Sequence, residues 1–195
     1  MTANKLTPGT IVAFIADVFE RRGAESYLGE DVTMSEHMLQ SARLAEQAGS
    51  SDDLVAGALL HDIGHYTNEF REDALERGTD NLHEEAGARV LAPFFPSVVT
   101  DCIRWHVAAK RYLCATDPDY FSQLSPASVN TLKLQGGPMN EEEVAVFADQ
   151  PNLDAILQVR VWDDLGKVRG AVTPPFRHYA PLLQRVVDAH TGGQV

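Results

Sequence analysis

The chemistry this sequence can do is concentrated in four histidines and two aspartates: His37, the adjacent pair His61 and Asp62, His83, His106 and Asp163. A single histidine on an apolar helix is more often a packed core residue than a ligand, so the set matters rather than any one member. The pair stands in "ALLHDIGH", at the end of a segment that is apolar almost all round. Neighbouring residues of an ideal helix diverge by about 100° and do not face each other, yet both can converge on an ion lying off the helix side. A carboxylate at the end of so apolar a helix is costly to ionise alone, and a cation removes that cost. Imidazoles and carboxylates without thiolates form a nitrogen-and-oxygen set suited to iron, manganese or zinc. The six groups suffice for two ions if Asp62 bridges them.

The flanking charges point to an anionic substrate. Lys110 follows His106 by four residues and Arg160 precedes Asp163 by three, so each cation shares a helix face with a candidate ligand. The plainer alternative makes both of them partners in surface ion pairs. Ser128 is a weaker candidate for contact with a phosphate-type oxygen. His65 is a candidate acid–base group beside the ligands, although an ordinary loop histidine fits it nearly as well. His178 and His190 read as ordinary residues of the last helix.

Helices must position these groups, because nearly every periodic segment has helical spacing and none alternates as a half-buried strand does. Thr7-Pro8 opens a first helix whose stripe is Ile11, Val12, Ile15, Val18 and Phe19, and Gly23 closes it. Thr33 and Glu36 form a capping box for a second, which carries His37 and runs to about Gly49. Asp52 or Asp53 caps a third, "LVAGALLHD", which Gly64 ends. A fourth starts near His83 and stops before Pro93, and a fifth begins at Ser97 and carries His106 and Lys110. Asn140 and Glu143 cap a sixth, "LDAILQVRVWDDLGK" is a seventh and "FRHYAPLLQRVVDAH" an eighth. The stretches 66–82 and 115–138 are expected to be long loops, which in compact folds often carry function. The expectation is an all-α fold forming one domain over residues 1–195, with the motifs in about 27–164.

The chain's 195 residues, 44% of them hydrophobic, can bury a sizeable core without disulfides. Its net charge of −12, with no basic block, argues against nucleic acid as a partner. Cys102 and Cys114 are too few for a disulfide framework and suit a reducing, cytoplasmic setting. The apolar run "LVAGALL" is too short to span a bilayer, and the first residues lack the pattern of a signal peptide, so no membrane partner is expected.

A His, then His-Asp on the next helix, then a distal Asp is the signature of the HD superfamily, met here as His37, His61-Asp62 and Asp163. The segments "YLGEDVTMSEHMLQSARLAEQAG", "LLHDIGHY", "HEEAGARVL", "RWHVAAKRYL" and "RVWDD" together resemble a narrower group. These are the PhnZ/TmpB-like HD-domain mixed-valent diiron oxygenases of organophosphonate catabolism, relatives of myo-inositol oxygenase. The resemblance implies an all-α HD-domain bundle with a dinuclear centre in its core. In it His37, His61, Asp62 and Asp163 would hold one iron, and His83 and His106 the other, with Asp62 bridging. The Fe(II)/Fe(III) pair would use O₂ as co-substrate to cleave the carbon–phosphorus bond of a small 1-hydroxyalkylphosphonate, leaving a carboxylic acid and phosphate. Asp62 and His65 would serve at the reacting atoms. Lys110, Arg160 and Ser128 match positions that bind the phosphonate, and Tyr27 and Glu30 match a substrate-responsive loop.

Members of the group act on the 2-amino or the 2-trimethylammonio form of 1-hydroxyethylphosphonate, yielding glycine or glycine betaine. A quaternary ammonium favours aromatic faces and a carboxylate. Tyr27, Tyr112, Tyr120, Phe121 and Trp162 are available, and the balance leans to the trimethylated substrate. Two rivals stand beside this. An HD phosphohydrolase would use the same ligands to activate water against a nucleotide or phosphomonoester. A non-catalytic HD regulator would be expected to have lost ligands, whereas this chain keeps a full set.

Overall fold

The computed structural model describes residues 6–27, 29–69 and 83–192, apart from the side chains of 67–69. Nine α-helices are present among these residues: α1 (Ile11–Arg22), α2 (Met34–Gln47), α3 (Asp52–Leu60), α4 (His83–Leu91), α5 (Ser97–Thr116), α6 (Pro126–Leu134), α7 (Glu141–Ala148), α8 (Leu153–Leu165) and α9 (Phe176–Gly192). The only β pairing among the described residues is an isolated antiparallel bridge between Ser26 and Thr33. No described helix is long and apolar enough to cross a membrane.

Helix α3 is the axis of the bundle. Val55, Ala56, Ala58, Leu59 and Leu60 are all buried, and α2, α5, α8 and α9 pack around it. Burying one Leu or Ile of such a core contributes about 1.5–3 kcal/mol. Because α3 is wrapped on every side, the His61-Asp62 pair at its end lies in the molecular interior rather than at a surface.

Local signals set the neighbouring helices. The Thr33 hydroxyl accepts from the Glu36 N–H, and the Glu36 carboxylate accepts from the Thr33 N–H at 2.8 Å. This capping box fixes the first turn of α2 one residue before His37. Ser51, rather than Asp52 or Asp53, caps α3 through its side chain. The two aspartates fall in the first turn instead, where the positive end of the helix favours them. Residues Thr7 to Thr10 form a turn tied by their own hydroxyls, so α1 starts at Ile11, three residues after Pro8.

Gly64 does not terminate α3, which ends at Leu60; a 3₁₀ segment, Ile63–Glu69, follows. A Cβ on Gly64 would fall 1.8 Å from the His83 carbonyl oxygen, and one on Gly87 would lie 3.0 Å from the Gly64 Cα. Two glycines therefore let the start of α4 press against the HD turn, backbone to backbone. Most of the expected 66–82 loop lies outside the described residues.

The expected 115–138 loop is not one. It contains a 3₁₀ turn, Tyr120–Gln123, and the helix α6. Ser125 caps α6 and Pro126 occupies its first turn, a start signal that was present in the sequence. The helix was hidden because it is short and buries only Ser128 and Leu132, too little for a periodic stripe. Tyr120, Leu124 and Leu132 pack as a small cluster separate from the main core.

Candidate metal centre

The six candidate ligands, drawn from α2, the end of α3, α4, α5 and α8, meet around the Asp62 carboxylate. Asp62 Oδ2 lies 3.4 Å from both His37 Nε2 and His61 Nε2, while Oδ1 lies 3.2 Å from His106 Nε2 and 3.8 Å from His83 Nε2. The Asp163 carboxylate lies 3.5 Å from His37 Nε2 and 3.8 Å from His61 Nε2. Two groups able to hold an ion result, His37–His61–Asp62 and Asp62–His83–His106, and Asp62 is common to both. His37, His61, Asp62, His106 and Asp163 are buried.

The orientation of the rings decides what this cluster wants. Nδ1 of His37 donates to the Gly166 carbonyl at 3.0 Å, that of His61 to Ala58 at 2.8 Å and that of His106 to Ile103 at 2.8 Å. A carbonyl only accepts, so each Nδ1 carries a proton, and each ring turns its Nε2 inward, where the neutral form presents a lone pair. Nδ1 of His83 is likewise turned to an acceptor, the Glu84 carboxylate at 3.1 Å. The Nε2 atoms of His37 and His61 are only 2.9 Å apart. Facing lone pairs among carboxylates repel unless positive charge lies between them. A single shared proton would serve that one pair but leave Asp62 Oδ2 and His83 Nε2 buried without hydrogen-bond partners. Divalent cations satisfy all of these groups, so the donor set fits two metal ions.

The electrostatics agree. Burial works against the charge on Asp62, yet His61, His106 and His37 hold it well below the usual carboxylate range. Burial likewise opposes the charge on Asp163, which Arg160 and Lys167 hold well below that range. Burial, with His106 nearby, pushes the His83 imidazole down to about 3, so it is a neutral ligand-type ring at physiological pH.

A pocket opens on the cluster, lined on its far side by Lys110, Ser128, Thr131, Arg160 and Lys167. Neither Lys110 nor Arg160 is a surface residue; both are 3% exposed. Lys110 Nζ donates to Thr131 Oγ1 at 2.8 Å. Arg160 pairs with Asp163 Oδ2 at 2.6 Å and through its other edge with Asp164, while also donating to the Tyr120 hydroxyl. Sequence reasoning missed Lys167, whose Nζ is 3.1 Å from Ser128 Oγ and 3.1 Å from Asp163 Oδ1. It also missed Thr131 and Asp164. Lys167 follows Asp163 by four residues, the same spacing that singled out Lys110 beside His106. It falls inside the seventh helical segment read from the sequence, yet its spacing from Asp163 was not used.

His65 lies at the pocket, stacked on His83 with centroids 3.9 Å apart and its Nε2 3.8 Å from Asp62 Oδ1. Tyr27 stacks on His37 at 4.0 Å and Glu30 reaches the pocket wall. Of the five aromatic residues considered for a quaternary ammonium, only Tyr27 lines this pocket. Tyr112 packs on Phe147, Phe121 is 47% exposed, and Tyr120 sits behind Arg160.

Lys110 makes a testable pH effect. Burial, then the cations Arg160 and Lys167, push its ammonium down to about 8 against the pull of Asp163 and Asp164. It is charged below that pH and neutral above it, so binding of an anionic ligand should weaken as pH rises through about 8. The expected kcat/KM therefore falls on the alkaline side, and Lys110→Arg should flatten that limb. A limb of unchanged position in Lys110→Arg would assign the titration elsewhere.

Residues 34–148 match the HD domain, the class of protein that a helical core closing on these imidazoles and carboxylates defines. The chain belongs to the HD-domain family and, within it, to the PhnZ-like oxygenases, enzymes that use metal. It is 58% identical over 189 residues to the [1-hydroxy-2-(trimethylamino)ethyl]phosphonate dioxygenase (glycine-betaine-forming) of Leisingera caerulea, covering 97% of this chain and 96% of that one. It is 41% identical over 183 residues to the hydroxymethylphosphonate dioxygenase of Gimesia maris, covering 93% and 90%.

Proposed function

We propose that this chain cleaves the carbon–phosphorus bond of 1-hydroxy-2-(trimethylammonio)ethylphosphonate with O₂, giving glycine betaine and phosphate. The observation that carries it is the pair of inward-facing imidazole sets sharing Asp62, with the buried cations Lys110 and Arg160 and the half-buried Lys167 beyond them. The identity to a dioxygenase of that substrate supports the choice of ligand.

In this reading His37, His61, Asp62 and Asp163 would hold one iron, and His83 and His106 would hold the other, with Asp62 shared between them. When bound, a mixed-valent Fe(II)/Fe(III) pair supplies a chelating site for the hydroxyl and a phosphonate oxygen, together with the electrons that activate O₂. The protein does the rest. Lys110, Arg160, Lys167 and Ser128 bind the phosphonate and fix which carbon faces the centre. His65 takes the proton that the hydroxyl loses. Tyr27, stacked over His37, keeps bulk water from the site, and Glu30 meets the ammonium. The balance closes without another reductant: carboxylate and phosphate together hold two more oxygen atoms than the substrate, and one O₂ supplies both. The free thiols of Cys102 and Cys114 suit a cytoplasmic setting.

The test is oxygen uptake measured beside phosphate release on this substrate. One O₂ consumed per phosphate is expected, and no phosphate under strict anaerobiosis. Equal release without O₂ would move the chain to the phosphohydrolase class that shares these ligands.

A further inference from the structure

We propose that Ser125 is a positioning residue that sets substrate choice, holding the Glu30 carboxylate for a quaternary ammonium with the same hydroxyl that caps α6. The inference rests on the substrate reading above and names a residue that reading does not use.

The main chain around Glu30 is already fixed. Tyr27 N–H donates to the Val32 carbonyl at 3.1 Å, Glu30 N–H donates to the Tyr27 carbonyl at 2.7 Å, and Gly29 takes the left-handed conformation, φ 87°, that the turn requires. The Glu30 side chain is long and needs a separate constraint. Ser125 supplies it, donating its hydroxyl to Glu30 Oε1 at 2.5 Å, the length of a charge-assisted hydrogen bond. That contact leaves Oε2 for a ligand.

The chemistry of the cation explains why such a donor matters. A primary ammonium carries N–H groups and can orient a carboxylate by hydrogen bonding to it. A trimethylammonium group has none, so it attracts charge without directing it. The direction must come from the protein, and only Tyr27 among the aromatic candidates lines the pocket to share the task.

The same hydroxyl reaches the other end of the substrate. Ser125 Oγ accepts the Ser128 N–H at 3.0 Å, and the Ser128 hydroxyl takes a hydrogen bond from Lys167 at 3.1 Å. One turn of α6 thus joins the carboxylate that meets the cation to the groups that meet the anion.

Two substitutions separate latch from cap. Glycine at a helix N-cap costs only a few tenths of a kcal/mol relative to serine, so Ser125→Gly removes the donor while largely sparing α6. Ser125→Thr keeps both hydroxyl functions. Calorimetric titration of the metal-loaded enzyme uses 2-(trimethylammonio)ethylphosphonate, which lacks the hydroxyl and does not turn over, and inorganic phosphate. In Ser125→Gly the trimethylammonio ligand should bind about fivefold more weakly, because the lost bond orients Glu30 without touching the ligand, with phosphate affinity changed less than about twofold. Ser125→Thr should restore the wild-type ratio. Equal weakening of both ligands, or of neither, overturns the latch and leaves Ser125 a helix cap. A wild-type enzyme that binds phosphate as tightly as the cationic ligand overturns the substrate reading, and the latch falls with it.

Discussion

Asp62→Ala enzyme, purified from cells supplied with iron, is expected to contain neither ion and to show no detectable turnover. The two candidate sites have no other ligand in common. One oxygen of Asp62 faces His37 and His61, and the other faces His106 and His83. Without it the first set keeps two imidazoles and Asp163, and the second keeps two imidazoles alone. Removing one partner from a buried charge cluster also costs about 3–5 kcal/mol, because the remaining groups are left uncompensated. His83→Ala and His106→Ala should instead lose chiefly one ion. Metal content of the three variants decides the matter. Two irons retained in Asp62→Ala, or two irons and normal turnover in both histidine variants, would sink the bridged dinuclear assignment.

Arg160→Ala is expected to weaken phosphonate binding roughly tenfold to a hundredfold and, unlike a simple binding mutation, to lower thermal stability and metal content together. Sequence spacing alone predicts only a higher KM. The geometry adds more, because the guanidinium is spent on Asp163 along one edge and on Asp164 and Tyr120 along the other. Truncation leaves the buried Asp163, a candidate ligand, and the half-buried Asp164 short of a cation. Lys110→Ala removes a cation bonded to a threonine hydroxyl, so its effect should stay in KM. Unfolding temperature and iron content, measured on both variants beside kinetics, separate the two cases. Stability and metal content unchanged in Arg160→Ala would return that residue to a purely substrate-facing role.

The legible parts of this protein were those written by periodicity or by residue type. The stripe of α1, the capping boxes of α2 and α7 and the all-apolar α3 each combine a local signal with a burial pattern, so their existence could be read directly. The cluster around Asp62 was legible only as a set, because four imidazoles and two carboxylates at that spacing have few other uses together. What stayed hidden depended on tertiary placement. Helix α6 has a start signal but little apolar face, since it spends Ser128 and Thr131 on the pocket rather than on the core. Lys167 is the last residue of the seventh helix read from the sequence, but α8 ends at Leu165, and spacing alone did not show that the chain beyond it brings the ammonium to Ser128. Trp162, Tyr112 and Phe121 have the right chemistry for a cation but face elsewhere, and spacing could not tell them from Tyr27.

The contact between Gly64 and the first residue of α4 has a consequence for the number of ions. His83 belongs to the second set of ligands, and its carbonyl lies where a side chain on residue 64 would have to be. The main chain at 64 and 83 therefore sets how closely His83 approaches Asp62, the residue the two candidate ligand groups share. A methyl group inserted at that point would wedge α4 outward and carry His83 away from Asp62, while His37, His61, Asp62 and Asp163 stayed together. If the proposed two-ion centre holds, nuclearity becomes a matter of clearance, set by whether the backbone at 64 is bare.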